Sequence, residues 1–147
     1  MEWKRSSTTH TTASAEAVWK RHVTAGDWVA DDEMTKAASF VEPPRAGATG
    51  TVTGSAGKTK FTFTEVEPLR RMTQEFKLPG ARLTLGHELE PDAAGLRLTH
   101  TVRLNGPLAP LLIPVVGFPL ARTRPELLLR IVARALAEDE AMGGGYR

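Results

Sequence analysis

Histidines are the side chains of this 147-residue chain best suited to chemistry near neutral pH. The sequence contains no cysteine, which excludes disulfides, iron–sulfur clusters, cysteine nucleophiles and thiolate zinc sites. His10, His22, His87 and His100 lack the paired spacing of zinc-binding motifs, so the sequence predicts no metal site and no cofactor. His87 and His100 remain as candidate catalytic residues, since a positioned imidazole can take a proton from an activated carbon.

Strand alternation places His87, His100 and Gln74 on the same inner face of three successive strands. Closing the hairpins at their turns sets Gln74 opposite Leu85 and Leu85 opposite His100, with His87 beside Met72 and Leu98. A buried polar group without a partner costs about 1–3 kcal/mol. Three such groups on an apolar face therefore indicate either a hydrogen-bonded core network or the polar end of a ligand cavity.

The elements that must position these residues are mostly strands, punctuated by Gly and Pro. After a first strand from near Trp3 to Thr12, the predicted strands are Met34–Val41, Thr49–Gly54, Lys58–Val66, Arg71–Leu78, Arg82–Leu89 and Leu96–Leu104. No connection between the later strands is long enough for a crossover helix, which predicts an antiparallel sheet. Val66 breaks the alternation of its strand and indicates a bulge or a twist there.

Helical signals flank this run of strands. Ser14 is a predicted N-cap for a short helix that Gly26 ends, and residues 27–32 follow as a second short helix or a tight loop. Pro125 is predicted to begin a long C-terminal helix, because proline suits a first helical position. The apolar, proline-rich segment before it is expected to form either a lid or part of that helix.

Composition and charge narrow the class of protein. The length fits one domain, 1–147, and the net charge of +2 comes from scattered Lys and Arg. We expect no nucleic-acid binding, because a basic stripe with interleaved aromatics is missing. Prolines interrupt the longest apolar stretch, 108–121, so we expect no stable membrane insertion. The start of the sequence does not resemble a signal peptide, and we expect a cytoplasmic monomer or homodimer.

Short segments along nearly the whole chain carry a family resemblance. They are Ala13–Trp19, Asp27-Trp28, Thr64–Pro68 with Arg70-Arg71, Leu78–Ala81, His87–Pro91 and Gly106–Pro110. In this order they resemble the SRPBCC superfamily, also called START-like or Bet v 1-like, and its polyketide cyclase-like subgroup. The resemblance implies an α+β helix-grip fold. In that fold, a curved antiparallel sheet of about seven strands wraps around a C-terminal helix, and two short helices follow the first strand.

The resemblance leaves three functions open. The first is binding of a small, mostly hydrophobic partner (a lipid, polyketide or aromatic compound) between the sheet and the C-terminal helix. The ligand-binding residues expected there are Gln74, Phe76, Leu85, His87, Leu98, His100, Trp28, Phe61 and Phe63. The second is a polyketide cyclase or aromatase that uses the cavity histidines as acid and base. The third is a protein-interaction module that uses an outer face of the same fold.

Overall fold

Seven antiparallel strands form one curved sheet. The computed structural model describes residues 2–55 and 57–144. The strands are β1 Glu2–Thr11, β2 Ala37–Phe40, β3 Thr49–Gly54, β4 Gly57–Glu67, β5 Arg71–Leu78, β6 Ala81–Asp92 and β7 Gly95–Asn105. In the sheet they lie in the order β1-β7-β6-β5-β4-β3-β2. The strand expected over Met34–Val41 is shorter than predicted. The seven-stranded antiparallel sheet is confirmed.

Two short helices follow β1, as expected, and a helical segment ends the chain. They are α1 Ala15–His22 and α2 Ala25–Asp31, then α3 Ala109–Leu112, a π-helical turn Ile113–Gly117 and α4 Phe118–Gly144. Ser14 caps α1, because its hydroxyl accepts a hydrogen bond from the Ala17 amide at 3.1 Å. The same hydroxyl donates to Asp139 of α4 at 2.7 Å, which ties the two helices together.

The predicted helix boundaries at Gly26 and Pro125 are wrong. Gly26 lies inside α2, and α1 ends at His22, four residues earlier. Helix α4 begins at Phe118 and continues through Pro125. A proline inside a helix removes one backbone hydrogen bond and costs about 3 kcal/mol. Packing offsets that cost, since Leu120 and Ala121 pack against one apolar cluster before Pro125, and Leu128 and Ile131 are buried in the other after it. The proline-rich segment is therefore helical.

Strand register differs from the prediction at one hairpin. The pairs Gln74–Leu85 and Met72–His87 are as predicted. Between β6 and β7, however, Leu85 faces Val102, and His87 faces His100. The prediction was two residues out because the connection is the short Ala93-Ala94 turn and not the six-residue loop 90–95 that the predicted strands leave between them. A slip of two residues keeps each side chain on its face, so the inner face is unchanged.

The concave side of the sheet holds two apolar clusters. One lies where α1 and the second half of α4 cover β6 and β7, and the other is rich in aromatic rings, among them Phe61 and Phe63 of β4 and Phe76 of β5. The bulge predicted near Val66 is confirmed, because the β4–β5 register shifts between Phe63 and Glu65. Gly50 lets Phe61 approach β3 closely, since a Cβ there would lie 2.6 Å from the ring. Between these clusters the packing leaves a space.

Candidate functional site

A cavity of about 370 Å³ lies between the sheet and α4. Its walls come from α1, α2, strands β3 to β7, the π-helical turn and α4. Most of the lining is apolar, including Leu83, Leu85 and Ile131. Val116 of the π-helical turn also lines the cavity, so the proline-rich segment covers it while forming part of the helical run.

Three histidines meet at the polar end of this cavity. His87 and His100 are a directly opposed cross-strand pair, and His22 reaches them from α1. All three side chains are buried. His22 Nε2 lies 2.9 Å from His100 Nε2, and the ring planes of the three pairs stand at 69° to 89° to one another. One ring nitrogen of each histidine lies within 4.8 Å of the other two.

The hydrogen bonds determine where the ring protons sit. His22 Nδ1 lies 2.8 Å from the Val18 carbonyl, which can only accept, so this nitrogen carries the hydrogen. His22 Nε2 is then an acceptor, and His100 Nε2 donates to it. His87 Nε2 donates to Gln74 Oε1 at 3.0 Å. His87 Nδ1 and His100 Nδ1 consequently present lone pairs, and neither has a hydrogen-bond partner among residues 2–55 and 57–144.

Burial keeps these imidazoles neutral. Desolvation lowers the pKa of His87 and of His100 well below the usual value, and the positive charge of Arg124 acts in the same direction. The pKa of His22 is lowered as well, mainly by burial, although its bond to Val18 and the charge of Asp31 oppose the shift. Neutral imidazoles can accept a proton or bind a metal ion, whereas imidazolium can do neither.

Two buried arginines flank the histidines. Arg124 of α4 lines the cavity, and its guanidinium lies 3.2 Å from the Asp32 carboxylate. Burial lowers the pKa of Arg124, while Asp32 counteracts the shift. Arg21 forms a two-pronged pair with Asp31 at 2.7 and 2.9 Å. The cavity therefore combines apolar walls with a polar end that holds neutral rings and a paired cation.

The structure places six of the nine expected ligand-binding residues in the cavity wall. They are Gln74, Phe76, Leu85, His87, His100 and Trp28. Leu98, Phe61 and Phe63 also point inward, but they are packed into the two apolar clusters and do not line the cavity. Strand alternation predicted correctly that these side chains face inward. It cannot predict whether an inward-facing side chain borders the cavity or packs in a cluster beside it.

Sequence reasoning missed His22 and Arg124. His22 follows Val18 by one helical turn, and Val18 is fully buried, so a histidine on the apolar stripe of α1 was the available signal. Arg124 gave no comparable signal, because its burial depends on where α4 crosses the sheet. Motif spacing along the sequence could not detect this cluster, since the three histidines converge from distant elements.

Comparisons with known proteins find similar structures at low sequence identity. No family model and no curated protein matches the chain. The di-domain ARO/CYC StfQ from the steffimycin biosynthetic pathway superposes with a TM-score of 0.75 at 12% identity, covering 95% of this chain and 52% of StfQ. Norcoclaurine synthase from Thalictrum flavum, solved with dopamine and hydroxybenzaldehyde, gives 0.69 at 13% identity, covering 93% and 88%. Protein SA2116 of unknown function from Staphylococcus aureus gives 0.71 at 8% identity, covering 95% and 97%.

These likenesses define the class of fold. The chain has the helix-grip fold of Bet v 1-like proteins, as the sequence resemblance implied. At such low identities the likeness shows the fold alone. Among the described residues, every helix is too short or too polar to cross a membrane.

Proposed function

We propose that the cavity binds a small, mostly apolar molecule of the lipid, polyketide or aromatic type. The observation that carries this proposal is the cavity itself, apolar along its walls and polar at one end. Its volume of about 370 Å³ lies within the range of small-molecule sites, roughly 300–1,000 Å³. Apolar contact supplies affinity, and the polar end orients the ligand.

The polar end favours a ligand with one oxygen-bearing group. Arg124 supplies a positive charge at the cavity wall, and His87 is hydrogen-bonded to Gln74 on the sheet side. A carbonyl, phenolate or carboxylate oxygen would face the Arg124 guanidinium, whereas the remainder of the molecule would contact Leu83, Leu85 and neighbouring apolar groups. A fully apolar ligand would leave this end without partners, at a cost in affinity.

The test fills the cavity and measures binding of 8-anilinonaphthalene-1-sulfonate, an aromatic anion. Leu85→Trp places an indole in the cavity and is expected to weaken dye binding at least about tenfold, equivalent to about 1.4 kcal/mol. Leu111→Trp is the matched control, because Leu111 is 70% exposed and lies outside the cavity wall. Near-ultraviolet circular dichroism checks that both variants keep native packing.

Equal dye binding by the two variants would contradict the proposal. Native mass spectrometry of freshly purified protein adds an independent measurement. A retained molecule that Leu85→Trp excludes and Leu111→Trp keeps would identify the natural ligand class by its mass.

A second candidate function is proton transfer of the cyclase type. It is favoured by the two neutral imidazoles in the cavity wall, His87 and His100, each with a ring nitrogen that has no partner among the described residues. Exchange of the activated protons of 2,4-pentanedione with deuterated water, followed by NMR, tests it. His87→Gln should abolish any catalysed exchange, and the exposed control His10→Gln should preserve it. The interaction-module hypothesis has less support, because it fits a fully packed interior better than a cavity.

A further inference from the structure

The three cavity histidines meet the composition and spacing requirements of a metal centre. Each contributes one ring nitrogen, and the three nitrogens lie within 4.8 Å of one another. The rings are mutually steep, at 69°, 85° and 89°, so they approach a common region from different directions. Three histidines plus one open position is a ligand set of catalytic zinc sites.

The distances are near those that a bound ion needs. Zinc–nitrogen bonds of about 2.0–2.1 Å in a tetrahedron separate the ligand nitrogens by roughly 3.3 Å. His22 Nε2 and His100 Nε2 are already 2.9 Å apart. Because the farthest pair of nitrogens lies within 4.8 Å, modest ring rotations bring all three to bonding distance without moving the sheet.

Hydrogen bonds to other protein groups already orient two of the three imidazole rings. The Val18 carbonyl accepts from His22 Nδ1, and Gln74 Oε1 accepts from His87 Nε2. Metal-binding histidines usually donate their other ring nitrogen in this way, which fixes the tautomer and turns a lone pair toward the ion. The lone pair so fixed is on Nε2 in His22 and on Nδ1 in His87.

The unpartnered nitrogens are the second independent observation. His87 Nδ1 and His100 Nδ1 are completely buried and have no donor within the described ranges. A buried acceptor that no protein group satisfies calls for an external partner. A cation bound through His87 Nδ1 provides one for that nitrogen, whereas His100 would bind through Nε2, the nitrogen next to His22 Nε2.

We propose that His22, His87 and His100 bind one divalent transition-metal ion of the zinc class. Imidazole suits zinc, copper, nickel and iron, and zinc favours the four-coordinate geometry available here. The fourth position opens to the cavity, since all three histidines line it. Binding replaces the hydrogen bond between His22 and His100, and when His100 binds through Nε2 its proton moves to Nδ1, so the ring stays neutral.

Nearby charges influence which ligand would bind at the fourth, open coordination position of the ion. Arg124 raises the local positive potential at His87 and His100, while Asp31 acts oppositely at His22. A dication beside Arg124 therefore favours an anionic oxygen donor, either hydroxide or an oxygen of the bound molecule. This inference goes beyond the proposed function, because the ion binds without the organic ligand.

The experiment titrates chelator-treated protein with Zn²⁺ by calorimetry and with Co²⁺ by visible absorption. The expected result is one ion per chain and a low-coordinate cobalt spectrum. His87→Gln should weaken binding by more than about tenfold, the lower end of the loss seen when even an outer partner is removed. His10→Gln is the matched control, because His10 is exposed on β1 and bonds to Asp92 at 2.6 Å.

Zinc X-ray absorption on the unmodified protein keeps the proposal testable if His87→Gln does not fold. It should count three imidazoles at about 2.0–2.1 Å. No saturable binding, fewer than three imidazoles, or an equal loss in His10→Gln overturns the proposal. The titration contains no dye, so failure here leaves the Leu85→Trp result unaffected, and the reverse also holds.

Discussion

Acidification should destabilise this protein in the pH range where free histidine titrates. In the unfolded chain a histidine has a pKa near 6.5. In the folded chain burial lowers the pKa of His87 and His100 well below that value. The unfolded state therefore binds more protons, and stability, complete above about pH 6.5, is lost as pH falls toward the folded pKa.

The size of the loss follows from proton linkage. Between pH 7.5 and 5.5, each histidine that stays neutral in the fold costs about 1.4 kcal/mol. His87 and His100 together give about 3 kcal/mol, and His22, whose pKa is also lowered, adds to the loss. Arg124 faces His87 and His100, and Arg21 and Asp31 face His22. Burial raises the pKa of Asp27, so protonation of this carboxyl favours the folded state and opposes part of the loss of stability as the pH falls.

Urea denaturation followed by tryptophan fluorescence measures this effect at pH 7.5, 6.5 and 5.5, with a chelator present so that no metal contributes. His100→Gln should reduce the loss between pH 7.5 and 5.5 by about 1.4 kcal/mol, whatever its effect on absolute stability. The control variant His10→Gln should keep the part of this loss that His22, His87 and His100 cause. A wild-type loss below about 1 kcal/mol, or the same loss in His100→Gln, would refute the linkage argument.

Three further changes test the packing around the cavity, each by urea denaturation at pH 7.5. Gln74→Leu removes the acceptor for His87 Nε2 and should cost about 1–3 kcal/mol; no change would show that the bond is dispensable. Phe63→Ala empties a fully buried ring position and should cost about 3–5 kcal/mol, and a smaller cost would indicate collapse of the space. Gly50→Ala drives a Cβ into the Phe61 ring and should cost about 1–3 kcal/mol, whereas its control Gly26→Ala meets nothing within 4 Å; equal effects would count against the steric explanation.

Strand pattern and turn residues predicted the sheet well, because both act over short stretches of chain. Alternation placed Gln74, His87 and His100 on the inner face, and the structure buries all three. The broken parity at Val66 located the β4 bulge. The slip at the β6–β7 hairpin has a local cause as well, since Pro91 and Gly95, residues typical of loops, are paired within the strands on either side of the Ala93-Ala94 turn.

The rest of the site depends on packing between elements that are distant in the sequence. The hydrophobic periodicity of a single element cannot predict such packing. His22 reaches His100 only because α1 docks on β7, 78 residues later in the chain. Arg124 is buried only because α4 continues through Pro125, where propensity favours a helix start. Leu98 and Phe63 show the same limit, because a shared face does not determine which side chains border an unfilled space.

The pairing of His87 with His100 also bears on the order of folding. These two residues are brought together by a hairpin with a two-residue turn, a local contact that closes quickly and at low entropic cost. His22 can join them only after α1 has closed a far longer loop onto the sheet. We therefore expect the polar cluster to be completed by a late docking event, and we expect a metal ion that bridges His22 to the strands to act chiefly by slowing the undocking of α1.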